Sequence, residues 1–421
     1  MEQKPKTDSK LKRELNLLDA VGIGLGAIVG AGIFVVSGVA AGMAGPAMLI
    51  SLLIAGLAAA CNGLSSAQLA ARFPKAGGTY EYGYELIHPL AGFSAGWMFL
   101  ASKLAAGGVV ALGLGSYWVR FFPGMDPRWI ATVAALLLVI ANLAGIKKAG
   151  LLNRLIVSIT LLALLYFVLA GTSKIDPTNF TPFAPQGFSG VARATGVLFF
   201  AFTGYARIAT LGEEVRKPQK TIPRAIVITL IISFVLYSLI VFVALGTVGA
   251  TEMARGESPI FAAAEVIGNN YPALLNIIGV AAITAMLGVL LSQILGTSRV
   301  FFAMGRRGDM PHFFSKVSSN AVPIYGVLVS GAIVLLTIWL GELVAVTQAA
   351  SFTILIYYGI ANFAALRLAK EERFLPRWIS GLGLLLCILM AASLALQIII
   401  AGIILLVVGL VLRIILHRIY D

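Results

Sequence analysis

The sequence predicts an all-α polytopic membrane protein of about 12 transmembrane helices, and three observations carry that prediction. Of its 421 residues, 59% are hydrophobic and only 12% are charged, and the mean hydropathy is +0.95. An ordinary soluble protein carries about 25% charged residues, so a solvated surface cannot be built from this stock. Several apolar runs also exceed the ~20 residues that cross a ~30 Å hydrocarbon core. Those runs are continuously apolar and do not alternate with period two, which excludes a transmembrane barrel.

Residues 1–16 are polar and charged and lack an apolar core, so they read as a cytoplasmic tail and not as a cleaved signal. Apolar spans follow at 17–42, 46–71, 89–122, 129–145, 151–171 and 191–212. The second half continues with 222–247, 272–304, 324–340, 343–369, 378–395 and 397–416. They group into a first five-helix set (17–171), a second five-helix set (191–369), two trailing helices (378–416) and a cytoplasmic C-terminus (417–421). The longest connections, about 17–24 residues, are too short for an independent core.

Charge sets the orientation. With the N-terminus cytoplasmic, 24 of the 31 Lys and Arg fall on cytoplasmic segments or the helix ends beside them, and four on external loops. This positive-inside asymmetry predicts a multi-pass protein of the cell membrane with both termini cytoplasmic. It also explains the net charge of +13 through topology and lipid headgroups, without nucleic acid. Cys61 and Cys387 lie inside apolar runs and read as small hydrophobes, while His88, His312 and His417 are scattered, so neither a metal site nor a cofactor is expected. No span offers a convergent set of carboxylates, histidines or a nucleophile with its base, which argues against an enzyme and for a transporter or channel.

Two spans look interrupted. Helix 1 reads Gly22-Ile-Gly-Leu-Gly-Ala-Ile-Val-Gly-Ala-Gly-Ile-Phe34, with five glycines in eleven residues. Gly22, Gly26 and Gly30 recur at i+4, the small-residue pattern of close helix packing. Gly24 and Gly32 are not needed for that pattern, so a break that frees backbone groups toward a cavity is expected. Helix 6 carries Phe199-Phe-Ala-Phe-Thr-Gly204 mid-span, a second and weaker break signal. Interrupted segments at corresponding positions of two five-helix sets point to an inverted-repeat transporter site. A broken helix exposes N–H groups at one new end and C=O groups at the other, a pair that suits the carboxylate and ammonium of a zwitterion.

Three stretches resemble the amino acid–polyamine–organocation (APC) superfamily of amino acid permeases, and the resemblance covers essentially the whole chain. They are Gly26-Ala-Ile-Val-Gly-Ala-Gly-Ile-Phe34, then Phe200-Ala-Phe-Thr-Gly-Tyr205 with Gly212-Glu-Glu-Val-Arg-Lys-Pro-Gln-Lys-Thr-Ile-Pro-Arg-Ala225, and Leu295-Gly-Thr-Ser-Arg-Val-Phe-Phe-Ala-Met-Gly-Arg-Arg-Gly308. The resemblance implies a leucine-transporter-type fold, a 5+5 inverted repeat with helices 1 and 6 broken, and amino acid transport by alternating access. By position, Gly30, Ala31 and Gly32 resemble the family's carboxylate-binding Gly-Ser-Gly, with Ala31 where a serine is common. The carbonyls of Ile28, Phe202 and Thr203 would face the ammonium, and Phe200 and Phe202 look like an aromatic gate. For the Glu213-Glu214 pair, salt bridges to nearby basic residues are expected.

The departures concern coupling. Proton-coupled relatives carry a Lys in helix 5 where this chain has Thr160, and the stretch comparable to the sodium-binding part of helix 8 offers only Thr284. Lys103 instead lies inside helix 3, 14 residues past Pro89, about 21 Å along the helix axis. An ionisable residue at that depth is a functional candidate, as a proton carrier, as a contact for an acidic side chain, or as a structural donor to freed carbonyls. Arg207 follows the helix 6 break and points to an anionic substrate or to a gate pairing with an acid. The expected function is a proton-coupled or exchanging amino acid transporter. The alternatives are an inorganic-cation carrier of the same fold or a non-transporting membrane scaffold subunit.

Overall fold

Polar caps and prolines at the ends of apolar runs decide where the helices begin. Asn16 opens α1 (Leu17–Ile28) with a reciprocal capping box: its side chain accepts from Asp19 N at 3.0 Å, and Asp19 accepts from Asn16 N at 3.1 Å. The computed structural model describes residues 15–74, 77–144, 149–210, 215–256, 258–318 and 322–420, and among them every regular element is helical. After α1 come α2 (Ala31–Phe34), α3 (Val36–Ala44), α4 (Met48–Arg72), α5 (Thr79–Leu86) and α6 (Pro89–Phe121). Next are α7 (Pro127–Leu143), α8 (Ala149–Gly171), α9 (Gly187–Phe202), α10 (Ala206–Thr210), α11 (Pro218–Ala254) and α12 (Pro259–Gly268). The chain ends with α13 (Pro272–Arg306), α14 (Ile324–Leu340), α15 (Leu343–Leu366), α16 (Arg377–Ser393) and α17 (Leu396–Tyr420).

The start of α6 is capped by His88 Nδ1, which accepts from Leu90 N at 3.2 Å, and that of α7 by Asp126, which accepts from Arg128 N at 2.8 Å. Both helices, like α11, α12 and α13, carry proline in the first turn, where the missing N–H has no intrahelical acceptor anyway.

Among the described residues, eight helical stretches are long and apolar enough to cross a membrane: 17–34, 36–72, 89–121, 155–174, 218–254, 272–306, 343–366 and 396–418. The expected spans at 129–145, 324–340 and 378–395 correspond to α7, α14 and α16, apolar helices of 17 residues each. The expected span at 191–212 corresponds to the 16-residue α9, a 3-10 turn and the short α10. Two of the long connections carry helices of their own: α5 fills most of the one before α6, and α12 sits between α11 and α13.

Packing places α6 at the centre, against α13, α14 and α15, with α7 and α5 at its ends. A second layer joins α4, α11 and α9 to α1 and α3. The outward faces stay apolar: Leu136, Leu137 and Ile140 on α7 and Ile403, Ile404, Val407, Val408 and Val411 on α17 are all exposed. In water such a belt would aggregate, whereas against lipid tails it carries no penalty.

One end of the bundle is tied by a buried acid. Asp309, in the turn after α13, is 1% exposed and accepts from Tyr80 Oη at 2.7 Å, from Tyr84 Oη and from Arg413 Nε at 2.8 Å, with His417 Nε2 at 3.3 Å. Arg307 sits over the Tyr84 ring at 4.6 Å and pairs with Glu81 at 2.5 Å. Burial, then the hydrogen bond to Asp309, pushes the Tyr84 hydroxyl up to about 12, so it remains a donor at neutral pH. The cluster joins α5, the α13 turn and α17. Removing one partner of a buried ion pair costs about 3–5 kcal/mol, so Asp309→Ala is expected to lower the midpoint of thermal unfolding in detergent well beyond Glu252→Ala. The latter removes an exposed pair with Arg255, worth about 0–1 kcal/mol. Equal shifts for the two variants would contradict this.

Candidate functional site

The hydrogen-bond ladder of α1 stops at Ile28, where Val29 turns to φ −76°, ψ 101° and Gly30 to φ −174°, ψ −136°. Helical structure resumes at Ala31. Ile33 N and Phe34 N both turn back to Gly30 O at 3.1 Å. The N–H groups of Ala31 and Gly32, at the start of α2, have no intrahelical acceptor. In the second interrupted segment, α9 ends at Phe202, residues 203–205 tighten into a 3-10 turn, and α10 restarts at Ala206.

The two interruptions lie against each other, and glycine makes that possible. A Cβ at Gly32 would stand 2.6 Å from Ala201 Cα, and one at Gly204 would collide with the Ala27 backbone. Gly32 and Gly204 thus allow backbone-to-backbone approach between the two segments.

The carbonyls freed at the interruptions are met by side chains from three other helices. Tyr237 Oη, on α11, donates to Ile28 O at 2.8 Å and to Ala201 O at 3.4 Å. Tyr358 Oη, on α15, donates to Thr203 O at 3.2 Å. Lys103 Nζ, on α6, donates to Thr203 Oγ1 at 3.1 Å and to Thr203 O at 3.4 Å, and lies 5.8 Å from the Phe99 ring centre. Thr203 Oγ1 itself donates to Phe200 O at 3.0 Å.

Lys103 lines a cavity of about 40 Å³ together with Ala27, Thr203, Gly204, Arg207 and Gln293. The Arg207 guanidinium rests against Gly296, and Gln293 Oε1 is buried with no hydrogen-bond partner among the described residues. A much larger vestibule of about 500 Å³ lies further along helix 1, lined by Gly38, Gly42, Leu112, Arg128, Arg255 and Glu342. Residues 28–34 lie between the two openings along the chain, and none of them lines either.

The structure thus brings together most of the residues singled out in the sequence. Ile28, Gly30, Ala31 and Gly32 form the first interruption, Phe200, Phe202 and Thr203 the second, and Lys103 and Arg207 share the cavity beside it. Phe202 is fully buried against Tyr237, with ring centres 5.4 Å apart. Thr160 does not line the cavity; it is buried on α8, its hydroxyl without a partner among the described residues. Thr284 closes on its own helix, donating to Val280 O at 2.8 Å. Glu213 and Glu214 lie outside the described residues. Among the described residues no group of His, Cys, Asp and Glu could hold a metal ion. Sequence reasoning missed Tyr237, Tyr358 and Gln293. Their signal is the one that found Lys103, a polar group inside an apolar span.

The sequence model of the amino acid permease family matches residues 19–417. The chain is 40% identical over 403 residues to an uncharacterised transporter of Mycobacterium tuberculosis, covering 95% of this chain and 90% of the relative. It is 29% identical over 439 residues to a branched-chain amino acid permease of Bacillus subtilis (96% and 93% covered) and 30% identical over 349 residues to a vacuolar cationic amino acid transporter of Arabidopsis thaliana (77% and 58% covered). With the family model and the M. tuberculosis relative both matching nearly its whole length, the chain belongs to the amino acid permease family of the APC superfamily.

Proposed function

We propose that this protein carries an amino acid across the cell membrane by alternating access, holding the substrate's carboxylate and ammonium on the backbone of two broken helices. The observation that carries the reading is the contact between the two interrupted segments, Gly32 against Ala201 and Gly204 against Ala27, with N–H groups left open at the start of α2 and carbonyls freed at Ile28 and Thr203. On this reading the fold has 12 spans: two inverted repeats at 17–171 and 191–369, two trailing helices at 378–416, and both termini cytoplasmic. The N–H groups of Gly30, Ala31 and Gly32 take the carboxylate through a helix N-terminus. The carbonyls of Ile28, Phe202 and Thr203 take the ammonium, and Phe200 and Phe202 close over the bound zwitterion.

Alternating access needs two openings that do not join. The 500 Å³ vestibule and the 40 Å³ cavity, lined by residues that flank 28–34 along the chain, support that arrangement. In this scheme the vestibule is external, and the cavity belongs to the cytoplasmic half. Lys103, Arg207 and Thr160 are the groups through which proton coupling or exchange would act.

Two outcomes test the reading. In a thermal-shift screen with the twenty amino acids, at least one is expected to stabilise the purified protein, by about 2.7 kcal/mol at a hundredfold excess over Kd. Its methyl ester and its N-acetyl derivative, each lacking one end of the zwitterion, are expected to do nothing; stabilisation by inorganic cations alone would overturn the reading. In counterflow, Gly32→Ala is expected to lose most uptake, because the added methyl wedges the two interruptions apart, an overpacking of about 1–3 kcal/mol. Gly268→Ala, where a Cβ meets nothing within 4 Å, is the control expected to keep it.

A further inference from the structure

The cavity beside the second interruption has a chemistry of its own. Two cations, Lys103 from α6 and Arg207 from α10, line about 40 Å³ together with the Thr203 hydroxyl and the Gln293 amide. One water-sized site takes about 10–15 Å³, so the space suits a small polar group and not a whole amino acid. Lys103 donates only to Thr203 and lies over the Phe99 ring, 5.8 Å from its centre; among the described residues no carboxylate pairs with it. The neutral oxygens of Thr203 meet its hydrogen-bonding need but leave its charge uncompensated in a low-dielectric bundle, beside a second cation. A branched aliphatic side chain would desolvate that charge further, and a cationic one would set a like charge beside Lys103.

We infer that this cavity is a side-chain subsite for an acidic amino acid, with Lys103 as the residue that selects the side-chain carboxylate. The inference rests on the amino acid transport reading and names its substrate class. A carboxylate entering the cavity accepts from Lys103 Nζ, and its charge offsets that of Lys103. A neutral amide of the same shape can take the same hydrogen bonds without that offset. Hydrogen bonds to charged partners are roughly twice as strong as neutral ones, so glutamate or aspartate is preferred over its own amide.

The test is counterflow of labelled L-glutamate, L-aspartate, L-glutamine and L-leucine into proteoliposomes holding the wild type, Lys103→Met or Lys103→Arg, at fixed pH and salt. The wild type is expected to prefer one acid over glutamine by at least ~10-fold. Lys103→Met is expected to lower that ratio at least ~10-fold, and Lys103→Arg, which keeps the charge, to retain most of it. Transport of glutamine or leucine by the wild type with no preference for either acid would overturn the inference and leave the transport reading standing. Folded protein that moves none of an extended panel of amino acids would overturn both. Should Lys103→Met not fold, the wild-type ratio of acid to amide still decides.

Discussion

Everything around the site follows from one constraint: in hydrocarbon, a backbone group released from a helix must find its partner inside the protein. Each unsatisfied group there costs several kcal/mol, so an interruption is tolerated only where the surrounding helices supply donors and acceptors. The carbonyl of Ile28 takes Tyr237 from α11, and that of Thr203 takes Tyr358 from α15 and Lys103 from α6. Three helices are therefore bound to the two broken ones through carbonyls that exist as acceptors only because the ladder stops. The glycines act in the same direction, since Gly32 against Ala201 and Gly204 against Ala27 bring the two interruptions within backbone contact.

Those bonds place a requirement on any ligand at the carbonyl end. Thr203 O already has two donors, and Ile28 O has one. A carbonyl oxygen carries two lone pairs, so on the proposed reading an ammonium joins Tyr237 at Ile28 O but must compete with Lys103 or Tyr358 at Thr203. Lys103 stands where a substrate cation would stand, and displacing it toward the cavity is the motion that would place its charge on an incoming carboxylate. Binding at the interruption and recognition at the cavity are then one rearrangement of a single side chain.

The sequence carried the local part of this arrangement and not the long-range part. The run of glycines from Gly22 to Gly32 exposes the first interruption because helix packing alone does not require Gly24 and Gly32, and Lys103 announces itself by depth in an apolar span. The spans at α7, α14 and α16 were legible as apolar runs, but at 17 residues each they sit at the lower edge of what crosses a bilayer. Hydropathy therefore marks them without fixing their role. α5 and α12 were not legible, because short helices beside a bundle owe their existence to packing and not to an apolar period. The Asp309 cluster was beyond reach for a different reason: Tyr80, Tyr84 and Arg413 lie more than a hundred residues from it in sequence, and nothing local in Gly308-Asp309-Met310 records the pairing. Tyr237 and Tyr358 share the signal of a polar group inside an apolar span with other buried tyrosines, and contact with a freed carbonyl is what distinguishes them.

The two ends of the bundle are held by different means, and the difference bears on how the molecule could open. The Asp309 cluster ties α5, the α13 turn and α17 through a buried charge that cannot be exposed piecemeal, since each lost partner leaves the rest of the cluster uncompensated. At the vestibule end, Arg120 reaches Glu265 at only 3.8 Å, Arg255, just past the end of α11, pairs with Glu252 in its last turn, and both pairs are solvent-exposed. Exposed pairs contribute about 0–1 kcal/mol, and they sit beside an open volume of about 500 Å³. Opening at the vestibule therefore breaks little, whereas opening at the other end must break the Asp309 cluster or carry it as a unit. On the proposed reading of a carrier that alternates between its two faces, the second transition is the costlier one, and the binding energy of a substrate whose charge is matched at Lys103 would be what offsets it.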